Sequence, residues 1–249
     1  MKQSEYLEIL NLSKRTLEEY LNWREIEVFK MPIENRTLAK ESMRIKESEK
    51  ILGPKENLET LKKAIDSCKE CALSSSRLNA VIGVGSPAAD LMFVGEAPGF
   101  DEDHKGEPFV GKAGQLLTKI IEAMGYTREI VYIANIVKCH PMVDPTDPEK
   151  RSNDRAPTPL EMETCKYYLD KQIEIIKPKI IVTLGSSSTK GLLYNEEPIS
   201  KIRGVLKEYK GIKLMPTYHP AALLRNPSLK KLVWDDIKKV MHYLDTGQI

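Results

Sequence analysis

An α/β fold is predicted, a three-layer α/β/α sandwich around a four-stranded, mainly parallel sheet with an N-terminal helical extension. Three observations predict it. Four apolar runs of strand length, at residues 91–94, 131–134, 180–184 and 213–217, each give way to a polar or glycine-rich stretch. Segments with helical spacing lie between them, at residues 112–124 and 159–177, the second stopped by Pro178. Strand and helix therefore alternate, the pattern of a parallel sheet whose ligands sit at the carboxyl ends of its strands.

The first run opens into GEAPGFDEDHKGEPFVGKAG, residues 95–114. Gly95, Gly99, Gly106, Gly111 and Gly114 permit positive φ or close backbone approach, and Pro98 and Pro108 stiffen the path between them. The result is a rigid cup. No Gly-Lys-Ser/Thr closes it and it lacks GxGxxG, which argues against phosphate cradling by either route. Glu96, Asp101, Glu102 and Asp103 repel phosphate but can accept amide N–H groups or position water, and Phe109 offers a face to a planar ring.

Taken in order, the 249 residues, 41% hydrophobic and 30% charged, suit one large domain or one domain with an appendage. No apolar run approaches the roughly 18 residues of a membrane span and no signal-peptide core opens the chain, so a cytoplasmic protein with no membrane partner is expected. Residues 1–56 read as an accessory helical segment, with Leu7, Leu10, Leu17, Tyr20, Leu21 and Trp23 at rough helical spacing and a charged run at 36–50. The first sixty residues carry eleven Lys and Arg against twelve Asp and Glu, too balanced to grip DNA by charge. The charged run reads first as a solvated helix face, with the segment packing on the main domain or on a protein partner, and a boundary near Gly53-Pro54 separates it from the domain at 57–249.

Cys68 and Cys71 form C-x-x-C at the end of a helical stretch, 58–67, and Cys139 and Cys165 complete a set of four. In a reducing compartment these point to metal binding rather than disulfides. Four thiolates fit tetrahedral zinc or one [4Fe–4S] cube, and spacing does not separate the two. The third run leads to Gly185-Ser186-Ser187-Ser188, where backbone N–H groups can hold a phosphate or serine can cap a helix. Residues 202–209 read as a hairpin-like connection. The fourth run ends in Tyr218-His219-Pro220 and an apolar, basic tip, Leu223-Leu224-Arg225. From Lys201 onward, ten Lys and Arg face four Asp and Glu, placing positive charge where nucleic acid would lie.

The loop resembles motif 1 of the family 4 uracil-DNA glycosylases, the iron–sulfur branch, whose pattern GEAPGxxEDxxGxPFVGxAG is matched at every fixed position. Residues 219–227, HPAALLRNP, resemble motif 2, HPxxLLRNP, and residues 135–139 match N-x-V-K-C. The similarity covers roughly residues 66–244. It implies a [4Fe–4S] cluster on Cys68, Cys71, Cys139 and Cys165, with a charged, proline-rich insertion between the last two that is longer than the family's usual loop. It also implies a monomer that removes uracil from single- or double-stranded DNA and leaves an abasic site.

The resemblance implies the site residues as well. Uracil would stack on Phe109 within a pocket including Glu96, Ala97, Gly99, Phe100 and Glu102. Asn135 would accept from uracil N3–H and donate to O4, a pattern cytosine reverses. His219 would donate to O2 as negative charge develops there. Glu102 would lie near the C5 edge and exclude thymine's methyl, while Glu96 or Asp103 would order water or the loop, since Ala97 stands where family 1 enzymes carry Asp. Catalysis would fall to Asn135, His219, Glu102 and Glu96. Leu223 or Leu224, with Arg225, would enter the duplex in place of the flipped base. The alternative is a non-catalytic iron–sulfur module that binds or senses nucleic acid, which would not require Phe109, Asn135 and His219 together.

Overall fold

The computed structural model describes residues 52–248. Of the accessory segment expected over residues 1–56, residues 1–51 lie outside the described residues. The boundary expected at residue 56 falls inside helix α1 (Leu52–Asp66), which runs through Gly53-Pro54. Proline fits there because first-turn N–H groups have no intrahelical acceptor.

Six strands lie side by side in the order β1 (Val84–Gly85), β3 (Tyr132–Asn135), β2 (Leu91–Gly95), β4 (Ile180–Leu184), β6 (Ile212–Thr217) and β5 (Lys207–Tyr209). The middle four are parallel and coincide with the four apolar runs, while β1 and β5 pair antiparallel at the edges. The sheet is thus two strands wider than the sequence predicts. Both additions are edge strands of two and three residues, too short for a period to register. β5 and β6 are joined by Lys210-Gly211, both at positive φ (50° and 80°), a two-residue turn whose twist matches the strands.

Alternation divides the core into two layers. Met92, Val94, Tyr132, Ala134, Ile181 and Leu214 share one cluster with Leu169, Ile173 and Ile176 of α4 (Pro159–Ile176) and Leu192 of α5 (Ser186–Leu193). The intervening Leu91, Phe93, Ile133, Val182 and Met215 are equally buried and face the other way, where α8 (Leu229–Thr246) packs along β6 and buries Val233, Ile237 and Val240. With both faces covered, the central strands read as unbroken apolar runs. Registers Gly95↔Asn135 and Leu184↔Thr217 bring all four parallel strands to a common carboxyl edge. Among the described residues no helix is long and apolar enough to cross a membrane.

The start of α4 is fixed locally. Thr158 Oγ1 accepts from the Glu161 N–H (3.2 Å), the Glu161 carboxylate accepts from the Thr158 N–H (2.7 Å), and Arg155 grips both carboxylate oxygens. α1 packs against this helix, which carries Cys165. Replacing Thr158 with Ala removes one side of the capping box and is expected to cost about 1 kcal/mol of stability in urea denaturation.

Candidate active site

The carboxyl edge is where the chain, having placed β3 on one side of β2, crosses to place β4 on the other, a position that opens a crevice in open α/β sheets. Gly95 ends β2 there. A Cβ on Gly95 would overlap Asn135 Oδ1 and the Phe109 ring, so the missing side chain lets these two groups meet. Asn135 Oδ1 is buried without a hydrogen-bond partner. A buried acceptor left unpaired costs about 1–3 kcal/mol, which a ligand N–H arriving there would recover. The Phe109 ring lies 5.7 Å from the His219 ring, centroid to centroid, at 32°. Phe109, Asn135 and His219, whose extremes lie 110 positions apart in the chain, are brought together here.

His219 is the N-cap of α7 (Pro220–Arg225), and its Nδ1 accepts from the Ala221 N–H at 3.1 Å. The neutral ring therefore carries its proton on Nε2, which is left to donate. Burial, with a smaller push from Arg225, lowers its pKa to about 4. A neutral donor is what a developing anion at the ring's edge would meet at neutral pH.

The cup is held from within. It contains a short helix, α2 (Phe100–Lys105), with Gly99 before it and Gly106 after it at φ 71°. Glu102 Oε1 accepts from the N–H groups of Val110 and Gly111 (both 2.9 Å), and Oε2 from that of Gly99 (3.2 Å). Its carboxylate thus clamps the loop. Phe109 adopts φ 55°, uncommon outside glycine, and Arg128 secures it by donating to the carbonyls of Pro108 (2.7 Å) and Phe109 (3.1 Å). Gly114 must lack a side chain because a Cβ there would overlap the Phe109 backbone. Helix α3 (Lys112–Ala123) then packs against α7.

Glu96 follows Gly95, partly buried beside Ala97. Burial raises its pKa, opposed by a hydrogen bond with Ser187 at the start of α5. Phe100 turns elsewhere, its ring stacked on His104 (4.0 Å) with the Arg151 guanidinium 4.6 Å away. Asp103 is fully buried and accepts from the N–H groups of Leu78 and Asn79. Opposite it sits His140, with Nε2 2.6 Å from Asp154 and Nδ1 3.6 Å from Asp103. Burial would lower the His140 pKa, but the two carboxylates outweigh it and lift it to about 9. The stretch after Cys139 therefore packs on the cup through an imidazolium between two aspartates.

At the tip, the two adjacent leucines differ. Leu223 is fully buried and anchors α7, whereas Leu224 is 48% exposed beside exposed Arg225. Consecutive helical residues point about 100° apart, which turns Leu224 outward while Leu223 faces the core.

The four cysteines line one pocket with Ile65, Arg77, Lys138 and Tyr168 among its walls. Arg77 donates to Cys139 Sγ (3.0 Å) and the Lys138 N–H to Cys165 Sγ (3.2 Å). Burial pushes the Cys139 thiol up and the Cys165 thiol to about 11, with Arg77 and Lys138 respectively opposing it. Among the described residues no three Cys, His or carboxylate groups converge as for a single ion. Four thiols lining one pocket beside Arg77 and Lys138 have the donor chemistry of a thiolate-held metal centre.

The family model for the uracil DNA glycosylase superfamily matches residues 82–238. A type-4 uracil-DNA glycosylase of Sulfurisphaera tokodaii is 48% identical over 196 residues, covering 74% of this chain and 84% of that protein. Similar relatives bearing that name come from Archaeoglobus fulgidus, 42% identical over 74% of this chain and 92% of the relative, and Thermotoga maritima, 40% identical over 76% and 95%. The chain belongs to the type-4 uracil-DNA glycosylases. For a member of this family, sequence reasoning missed Arg77, Arg128, Lys138, His140 and Asp154. Lys138 alone left a signal, as a cation directly after the apolar Ile136-Val137.

The His219 assignment makes a stability prediction. Unfolded histidine takes up a proton near 6.5, while the folded ring resists until about 4. Stability therefore falls as pH drops through that window, because the unfolded state binds more protons. Urea denaturation between pH 7.5 and 4.5 is expected to show a smaller fall for His219→Gln than for the wild type.

Proposed function

We propose that the crevice at the carboxyl edge binds uracil flipped out of DNA and that the protein hydrolyses its N-glycosidic bond, leaving an abasic site. The observation that carries this reading is the unpartnered Asn135 Oδ1 beside the Phe109 ring. Uracil N3–H matches that acceptor, the carboxamide nitrogen suits O4, and Phe109 supplies the stacking face. The relatives' names give the reaction class, which does not favour the non-catalytic alternative.

Chemically, the bond between C1′ and N1 breaks with its electrons passing to uracil. The Nε2–H of His219 donates to O2 and stabilises that anion. Water adds its oxygen to C1′, and its proton neutralises the released base. Glu96, with its raised pKa at the pocket wall, is the carboxyl group we assign to ordering this water. Glu102 acts as a positioning residue through its three backbone hydrogen bonds. Leu224 and Arg225 fill the vacated stack and meet phosphate. Cys68, Cys71, Cys139 and Cys165 would hold a [4Fe–4S] cluster, which when bound ties α1, the turn after β3 and α4 together and supplies local negative charge.

An end-labelled oligonucleotide with one dU, treated with alkali after incubation, tests the function against matched dT and dC strands. Cleavage at dU alone is expected, and intact DNA in the presence of well-folded protein would refute it. Asn135→Asp is expected to lower kcat/KM for dU by about tenfold or more and to erode discrimination against dC. Unchanged selectivity would remove Asn135 from the reading role. Gly95→Ala, which forces Asn135 and Phe109 apart, is expected to cost about a hundredfold in single-turnover rate.

A further inference from the structure

Lys138 is a long, charged side chain only 1% exposed. Its Nζ donates to the backbone carbonyl of Asn135 and to Gln172 Oε1, both at 2.6 Å, and both acceptors are neutral oxygens. Gln172 is itself fixed, donating to the Ile82 carbonyl (2.7 Å) and the Tyr132 hydroxyl (3.1 Å). The backbone of Lys138 is fixed too, since its carbonyl accepts from Val81 (2.7 Å) and its N–H points at Cys165 Sγ. The same residue lines the cysteine pocket. A buried ammonium with neutral partners alone is costly, and an anion next to it offsets that cost.

We infer that Lys138 is the internal counter-charge of the group held by the cysteines and a positioning residue for Asn135. Four thiolates around an iron–sulfur core leave the assembly net negative, and Lys138 both lines that pocket and donates to the Asn135 carbonyl. Loading the pocket holds the ammonium, the ammonium holds the Asn135 carbonyl, and that carbonyl fixes the strand end from which the carboxamide projects. This inference rests on the cluster reading above.

The test compares wild type with Lys138→Met and Lys138→Arg, each purified without oxygen. Two quantities are read: the rate of iron release to a chelator, and inhibition of dU excision by free uracil. Lys138→Met is expected to release iron about tenfold faster and to bind free uracil about tenfold more weakly. Lys138→Arg, which keeps the charge, is expected to restore iron retention. Iron-loaded Lys138→Met that matches wild type in either reading overturns the inference alone, as does Lys138→Arg that releases iron as fast as Lys138→Met. If Lys138→Met does not fold, Gln172→Glu neutralises the ammonium with a side chain of the same shape. It is then expected to speed iron release and weaken uracil inhibition, and wild-type values in it overturn the inference. Wild type that carries no iron overturns the cluster reading and this inference with it.

Discussion

The bare Cα of Gly95 is the constraint on which the site depends. It ends the second central strand without a side chain, and the space so left is taken by the carboxamide of Asn135 and the ring of Phe109. Both residues are held there at some expense. Asn135 keeps a buried oxygen unpaired, and Phe109 sits at a φ that L-residues rarely adopt. Such local cost persists where surrounding structure over-determines it. Here the surroundings are the Glu102 carboxylate inside the cup, Arg128 on the carbonyls of Pro108 and Phe109, and the close approach of Gly114.

Two histidines close to this centre are driven in opposite directions. His219 is crowded by protein with only Arg225 as a charged influence, so it stays neutral and keeps a proton on the nitrogen facing away from α7. His140 is buried too but lies between Asp103 and Asp154, so it stays charged. The first arrangement leaves a donor for a ligand. The second fastens the stretch after Cys139 onto helix α2 and so backs the cup from outside. The same residue type thus serves chemistry in one place and architecture in the other, according to whether a carboxylate is within reach.

Much of this was legible in the chain because its signals are local. Apolar runs marked the four parallel strands, and periodicity located α3 and α4 to within a residue or two. The glycine spacing of residues 95–114 announced a rigid loop. What stayed hidden depends on partners far away in sequence. α2 lies inside a glycine-rich stretch, and β1 and β5 are stabilised by pairing rather than by their own composition. Arg128 meets Phe109 across 19 positions and Lys138 meets Gln172 across 34, so no window of sequence contains either contact. The choice between Leu223 and Leu224 needed the orientation of α7, which two adjacent leucines do not encode.

The central claim is that the unpaired oxygen of Asn135 is the reader of uracil. A crystal structure of the protein with abasic DNA and free uracil tests it most directly. The account predicts Asn135 Oδ1 within about 2.7–3.2 Å of uracil N3, the base stacked on Phe109, and His219 Nε2 directed at O2. Uracil bound elsewhere, or seated in the crevice with Asn135 Oδ1 still unpartnered, would contradict it.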